Sequence, residues 1–154
     1  MSTFIHGGSA LTLDVGAKAH AALSRGDVVA INTLVASGSD GYETKAIGNG
    51  NTGDQQVEIY GVVLGSAGKS SFALGEDILI RVVGVCDAAL SGTATISPTQ
   101  VGKINFAGPA NNLVPTAVGT YSAPAGGNRT VATIQEARTG AGLAKVFING
   151  LSSW

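Results

Sequence analysis

Short runs of β-branched and aliphatic residues recur along this chain, separated by stretches of Gly, Ser, Thr and Asn, and this spacing predicts an all-β fold with many turns. Ala10 to Val15 alternates apolar with polar positions and reads as a strand. Val28–Leu34, Tyr42–Ile47, Val57–Leu64, Ile78–Val85, Val101–Phe106, Val131–Ile134 and Val146–Ile148 read as further strands. Apolar residues occupy both faces of Ile78–Val85, the mark of a central or barrel strand. Ser37–Gly41 and Gly48-Asn49-Gly50-Asn51 are turn signals, because Asn and Gly tolerate positive φ. Ala17–Leu23 is Ala-rich and predicts one or two helical turns. Gly108–Val118 and Gly119–Asn128 read as loops, the second one either mobile or in contact with a neighbour.

The pattern is also written twice. Gly61–Ala67 followed by Ile78–Gly84 is echoed by Val131–Ala137 followed by Ala144–Gly150, with a second loop four residues shorter. Upstream, Gly26-Asp27-Val28-Val29 is echoed by Gly102-Lys103-Ile104-Asn105. Two copies are too few for a solenoid and predict one compact body. The expected organisation is an N-terminal arm and lead-in strand over 1–25, one β-rich domain over 26–150 duplicated as 26–87 and 101–150, and a tail over 151–154.

Composition narrows the class. At 154 residues, with 44% apolar and 12% charged residues, the chain is long enough for a core and too apolar for disorder. No run of 18 apolar residues predicts a membrane helix, and Met1–Gly8 lacks the basic and apolar regions of a signal peptide. A net charge of −1 argues against nucleic acid as the partner. Acids dominate residues 1–87, whereas Lys103, Arg129, Arg138 and Lys145 outnumber Glu136 beyond them. That asymmetry fits a polar molecule whose ends meet different neighbours. The single cysteine, Cys86, excludes an intrachain disulfide and reads as a core residue.

Candidate chemistry is sparse. Gly68-Lys69-Ser70 resembles the end of a phosphate-binding loop, but Val63 stands where that motif needs its first glycine, so a hairpin loop is expected. His6 and His20 complete no zinc spacing, and Asp40, Glu43 and Asp54 lack the spacing of a calcium loop. Asn128-Arg129-Thr130 matches a glycosylation acceptor by coincidence. No Ser, His and carboxylate set converges, so the expected class is a binding protein with no catalytic residue, metal or cofactor. The expected contact residues are Phe4, Ile5 and His6 on the arm, Tyr121 in the long loop, and Trp154, a terminal aromatic suited to a partner's pocket.

The run Gly26-Asp27-Val28-Val29, Gly61-Val62-Val63-Leu64, Gly75-Glu76-Asp77-Ile78 and Val82-Val83-Gly84-Val85 resembles the capsid decoration, or cement, proteins of tailed bacteriophages. The resemblance covers residues 10–150. It implies an antiparallel β-barrel or β-tulip body with an extended arm, little or no helix, and homotrimers on the outer surface of the major capsid protein shell. It also implies synthesis in the bacterial cytoplasm and incorporation into the virion. Cement function needs area and avidity rather than a catalytic pocket. The alternative is another virion module, such as a tail or head-fibre knob that binds host-surface glycan.

Overall fold

A computed structural model describes residues 12–32, 41–47, 59–104, 111–118 and 129–151. Among the described residues the chain is all-β. The strands are β1 (Leu13–Lys18), β2 (Leu23–Ser24), β3 (Val28–Asn32), β4 (Tyr42–Lys45), β5 (Ile59–Leu64) and β6 (Ser71–Phe72). They continue with β7 (Asp77–Leu90), β8 (Gln100–Ile104), β9 (Val114–Ala117), β10 (Arg129–Ile134) and β11 (Gly142–Asn149).

The expected barrel is present, and it is closed by the ring β1-β4-β3-β5-β7 returning to β1. A ring of five strands cannot alternate direction all the way round, so one neighbouring pair must be parallel. That pair is β1 and β4, with Ala17 opposite Tyr42; every other joint is antiparallel. A second ring repeats the solution. The far half of β7 pairs with β11, then β10, β8 and β9, all antiparallel. A parallel bridge between Leu90 and Leu113 returns it to β7, supported by Leu113 N–H donating to Ala89 O at 2.8 Å.

β7 therefore belongs to both rings. Its burial alternates strictly along all 14 residues: Ile78, Ile80 and Val82 enter the first core, and Cys86, Ala88 and Leu90 the second. The opposite face is more open than its apolar residues led us to expect, with Leu79 and Val85 exposed. β3 and β5 are instead the strands buried on both sides. Val29, Ile31 and Val63 fill the first barrel, whereas Val28, Ala30, Tyr60 and Val62 face the second core. Their near-continuous apolar runs follow from that double burial.

The junction rests on two glycines. β5 and β11 share one edge of β7, and Gly150 sits in the fork between them. Its N–H donates to Val82 O at 2.8 Å and its carbonyl accepts from Tyr60 N–H at 3.1 Å. A Cβ on Gly150 would lie 1.7 Å from Tyr60 O. Gly84, opposite Ile148, has φ of 131°, a conformation L side chains rarely adopt, where β7 passes from one ring to the other. The two echoed stretches thus form the same meander, β3-β5-β7 and β8-β10-β11. Their closing glycines meet at one joint.

Three local expectations change. Ala17–Leu23 is not helical: Ala17 and Lys18 are the last residues of β1 in its ladder with β7, and Ala17, Ala19 and Leu23 pack into the first core. Barrel burial outweighs alanine's weak helix preference in so short a stretch. The expected 108–118 loop contains β9, whose Val114 and Thr116 add an edge to β8. The 68–77 hairpin loop contains β6, which pairs with β2.

Candidate functional site

The expected contact residues Phe4, Ile5, His6, Tyr121 and Trp154 lie outside the described residues, as do Asp40, Asp54 and the 119–128 loop. Among the described residues, a concavity lies elsewhere. It is an open cleft of about 530 Å³ between the β5–β6 turn and the middle of β7, and Arg25, Ser66, Lys69, Ser70, Arg81 and Asp87 line it.

Each wall has a local cause. Ser66 and Lys69 exchange backbone hydrogen bonds at 3.1 and 2.9 Å, closing a tight turn around Gly68. Gly68-Lys69-Ser70 is thus the expected hairpin turn rather than a phosphate loop. Arg25 precedes the Gly26–Asp27 turn and lays its stem along Gly65, where a Cβ would lie 2.8 Å from Arg25 Cδ. Val63 and Cys86, both buried in the cores, lie beneath it.

The charges are individually partnered. Arg25 Nη2 donates to Asp87, and Lys69 Nζ to Glu76 while lying 5.5 Å from the Phe72 ring centre. Glu76 is itself held by Ala73 N–H at 2.7 Å. Arg81 is the most constrained. It donates from Nε and Nη2 to the two Asp14 oxygens at 2.9 and 3.0 Å, and from Nη1 to Val85 O at 2.7 Å. That carboxylate raises the Arg81 pKa further. Burial pushes the Cys86 thiol up to about 12, partly offset by Arg81. A thiol at that pKa is almost wholly protonated at neutral pH, which fits its expected role as core.

His20, partly buried between β1 and β2, is tied to β4. Its ring Nδ1 lies 2.8 Å from Thr44 Oγ1, and its backbone N–H donates to the same oxygen at 3.0 Å. Partial burial lowers its pKa. Glu43 is exposed on β4. Among the described residues, no group of three or more His, Cys, Asp or Glu is placed to hold a metal ion. No described helix is long and apolar enough to cross a membrane.

One of the four late bases, Arg129, is internal, and a second, Arg138, is half-exposed and spent on its own turn. Arg129 is buried with its guanidinium 5.1 Å from the Tyr60 ring centre, and its Nη2 is 3.4 Å from Gly150 O. Arg138 clasps the β10–β11 turn through Leu143 O and Ala141 O, both at 3.0 Å. The charge asymmetry read from the sequence is therefore partly spent inside the molecule. Sequence reasoning flagged Lys69 and Ser70 but missed Arg25 and Arg81, because nothing local marks residues 62 and 67 positions from the carboxylates they pair with.

No family model matches the chain, and no curated protein sequence does. Among solved structures, the chain is similar in fold to the head fiber gp8.5 N base of bacteriophage phi29. The TM-score is 0.51 at 11% identity, and the match covers 89% of this chain and 93% of that one. At that identity the likeness is one of architecture. It spans nearly all of both chains.

Proposed function

We propose that this chain is a structural protein of a phage head: a decoration protein that binds the outer surface of the major capsid protein shell and stabilises the virion, with no catalytic role. The observation that carries the reading is the near-complete coverage of a phage head fiber base by the same fold. The described architecture suits the task. Both β meanders are spent on cores, and the charged groups of the described cleft are paired with one another rather than with a reacting centre. A rigid two-ring body offers fixed area for shell contact, and many copies supply avidity. Self-association as a homotrimer is part of the proposal, as is assembly from the bacterial cytoplasm; neither nucleic acid nor membrane is a partner.

The second reading, a head-fibre module, takes its support from the name of the same neighbour. It differs in what the outer end binds. Cosedimentation separates the two. The purified chain is incubated with expanded capsid shells and, in parallel, with host-surface polysaccharide. Saturable binding to shells alone supports decoration. Binding to polysaccharide without binding to shells sinks it.

A further inference from the structure

We infer that Pro115 closes the outer edge of β9 to strand addition, and so keeps copies of this chain from joining edge to edge. Among the described residues, the nine-stranded sheet has one end that does not pair back. β1 pairs with both β4 and β7, whereas β9 pairs with β8 alone, and the chain just before it meets β7 at the single Leu90–Leu113 bridge. An open strand edge offers its N–H and C=O groups to any extended chain. The nearest such chain, in a preparation of one protein, is the same edge on a second copy. The inference stands on the ladder alone, whatever the protein binds.

The phase of β9 fixes what that edge presents. Gln100 stands opposite Ala117, and one step further Val118 N–H donates to Thr99 O at 3.1 Å. Bonded pairs alternate along an antiparallel ladder, so Val114 and Thr116 also turn their backbone groups toward β8. Leu113, Pro115 and Ala117 then turn theirs outward. Leu113 bears this out: its N–H donates to Ala89 O at 2.8 Å, and its carbonyl accepts from Ser91 N–H at 2.9 Å. Both of its groups are thereby spent at the end of β7, and Ala117 is engaged as well. Pro115 stands between them and has no N–H to give. β8 loses nothing by this, since Gly102 opposite Pro115 is paired on its other side with Ala132 of β10. A proline at 114 or 116 would instead remove a bond to β8. The residue that cannot donate thus sits where the native ladder is indifferent and an added strand loses its central bond.

The test uses the full chain carrying Pro115→Thr, which restores the N–H in a residue suited to strands. Two copies paired across position 115 gain two N–H···O bonds. Association at this edge should therefore rise roughly 25-fold, about fivefold per bond. Sedimentation equilibrium reads it: Pro115→Thr should form species of twice the wild-type mass at concentrations where the wild type forms none. Hydrogen exchange at the new amide of position 115 should slow as concentration rises. Pro115→Lys restores the same N–H but sets like charges directly opposite each other, so it should keep the wild-type mass. Melting curves establish that each variant is folded, and Pro115→Ala supplies the same donor if the threonine variant is not. A folded donor variant that keeps the wild-type mass would overturn the inference. So would equal association of the threonine and lysine variants, or association that leaves exchange at position 115 unchanged.

Discussion

At the scale of single residues, the account turns on contacts that sequence could not display. Gly150 read as the end of an echo, yet its significance lies in the 1.7 Å a Cβ would leave to Tyr60 O. Gly150→Ala is expected to cost at least about 3 kcal/mol, since backbone lies on both sides of the fork. Gly16→Ala, with nothing within 4 Å, should stay within about 0.5 kcal/mol. Denaturant midpoints of the two variants check this pair. Cys86 makes a second prediction. Burial and a pKa near 12 should leave it unmodified by iodoacetamide in the native protein at pH 8 and modified once unfolded, read by mass. The pH dependence has two windows of opposite sign. Burial depresses the folded His20 pKa, so its contribution is full above the ordinary value of 6.5 and declines as pH falls below it. Burial raises the Asp27 pKa, its largest cause, against the Ser24 N–H that stabilises the anion. Acidification toward 3.8 therefore relieves the Asp27 cost while His20 adds its own. A His20→Gln variant should lose the decline below pH 6.5 and keep the rest of the profile, measured by melting temperature against pH.

At the scale of elements, legibility followed burial. β3, β5, β8, β10 and β11 were visible because their β-branched residues are packed against sheet neighbours, and local pattern records packing. β7 was found but read six residues short, since Cys86-Asp87-Ala88-Ala89 lacks β-branched residues while still alternating in burial. β9 was missed because Pro115 marks a loop in most contexts and is tolerated here on an edge strand. The Ala17–Leu23 error has the same root: alanine is a helix former by propensity and a small core residue by position, and only the tertiary fold decides which. The alternation along β7 gives a direct check. Val82→Ala should cost about 2 to 3 kcal/mol, and Val85→Ala, 40% exposed on the other face, less than about 0.5, by equilibrium denaturation.

At the scale of the whole molecule, the all-β class was legible from composition and turn pattern. Ring closure was not. Pairing Leu13–Lys18 with Asp77–Val83, and Leu90 with Leu113, joins segments whose local sequence carries no trace of the partner. The cleft was half legible: Lys69 and Ser70 stood out as a motif, whereas Arg25 and Arg81 reach it through pairings distant in sequence. The arm, the long loop and the terminal Trp154 lie outside the described residues; deletion of residues 2–9 tests the arm, with loss of shell binding and an unchanged melting curve as the expected outcome. The central claim is placement on a phage head, and imaging of intact particles that carry this chain addresses it most directly. The expected result is regularly spaced density on the outer capsid surface into which the two-ring body fits. Density confined to the tail, or heads bare of it, would contradict the proposal.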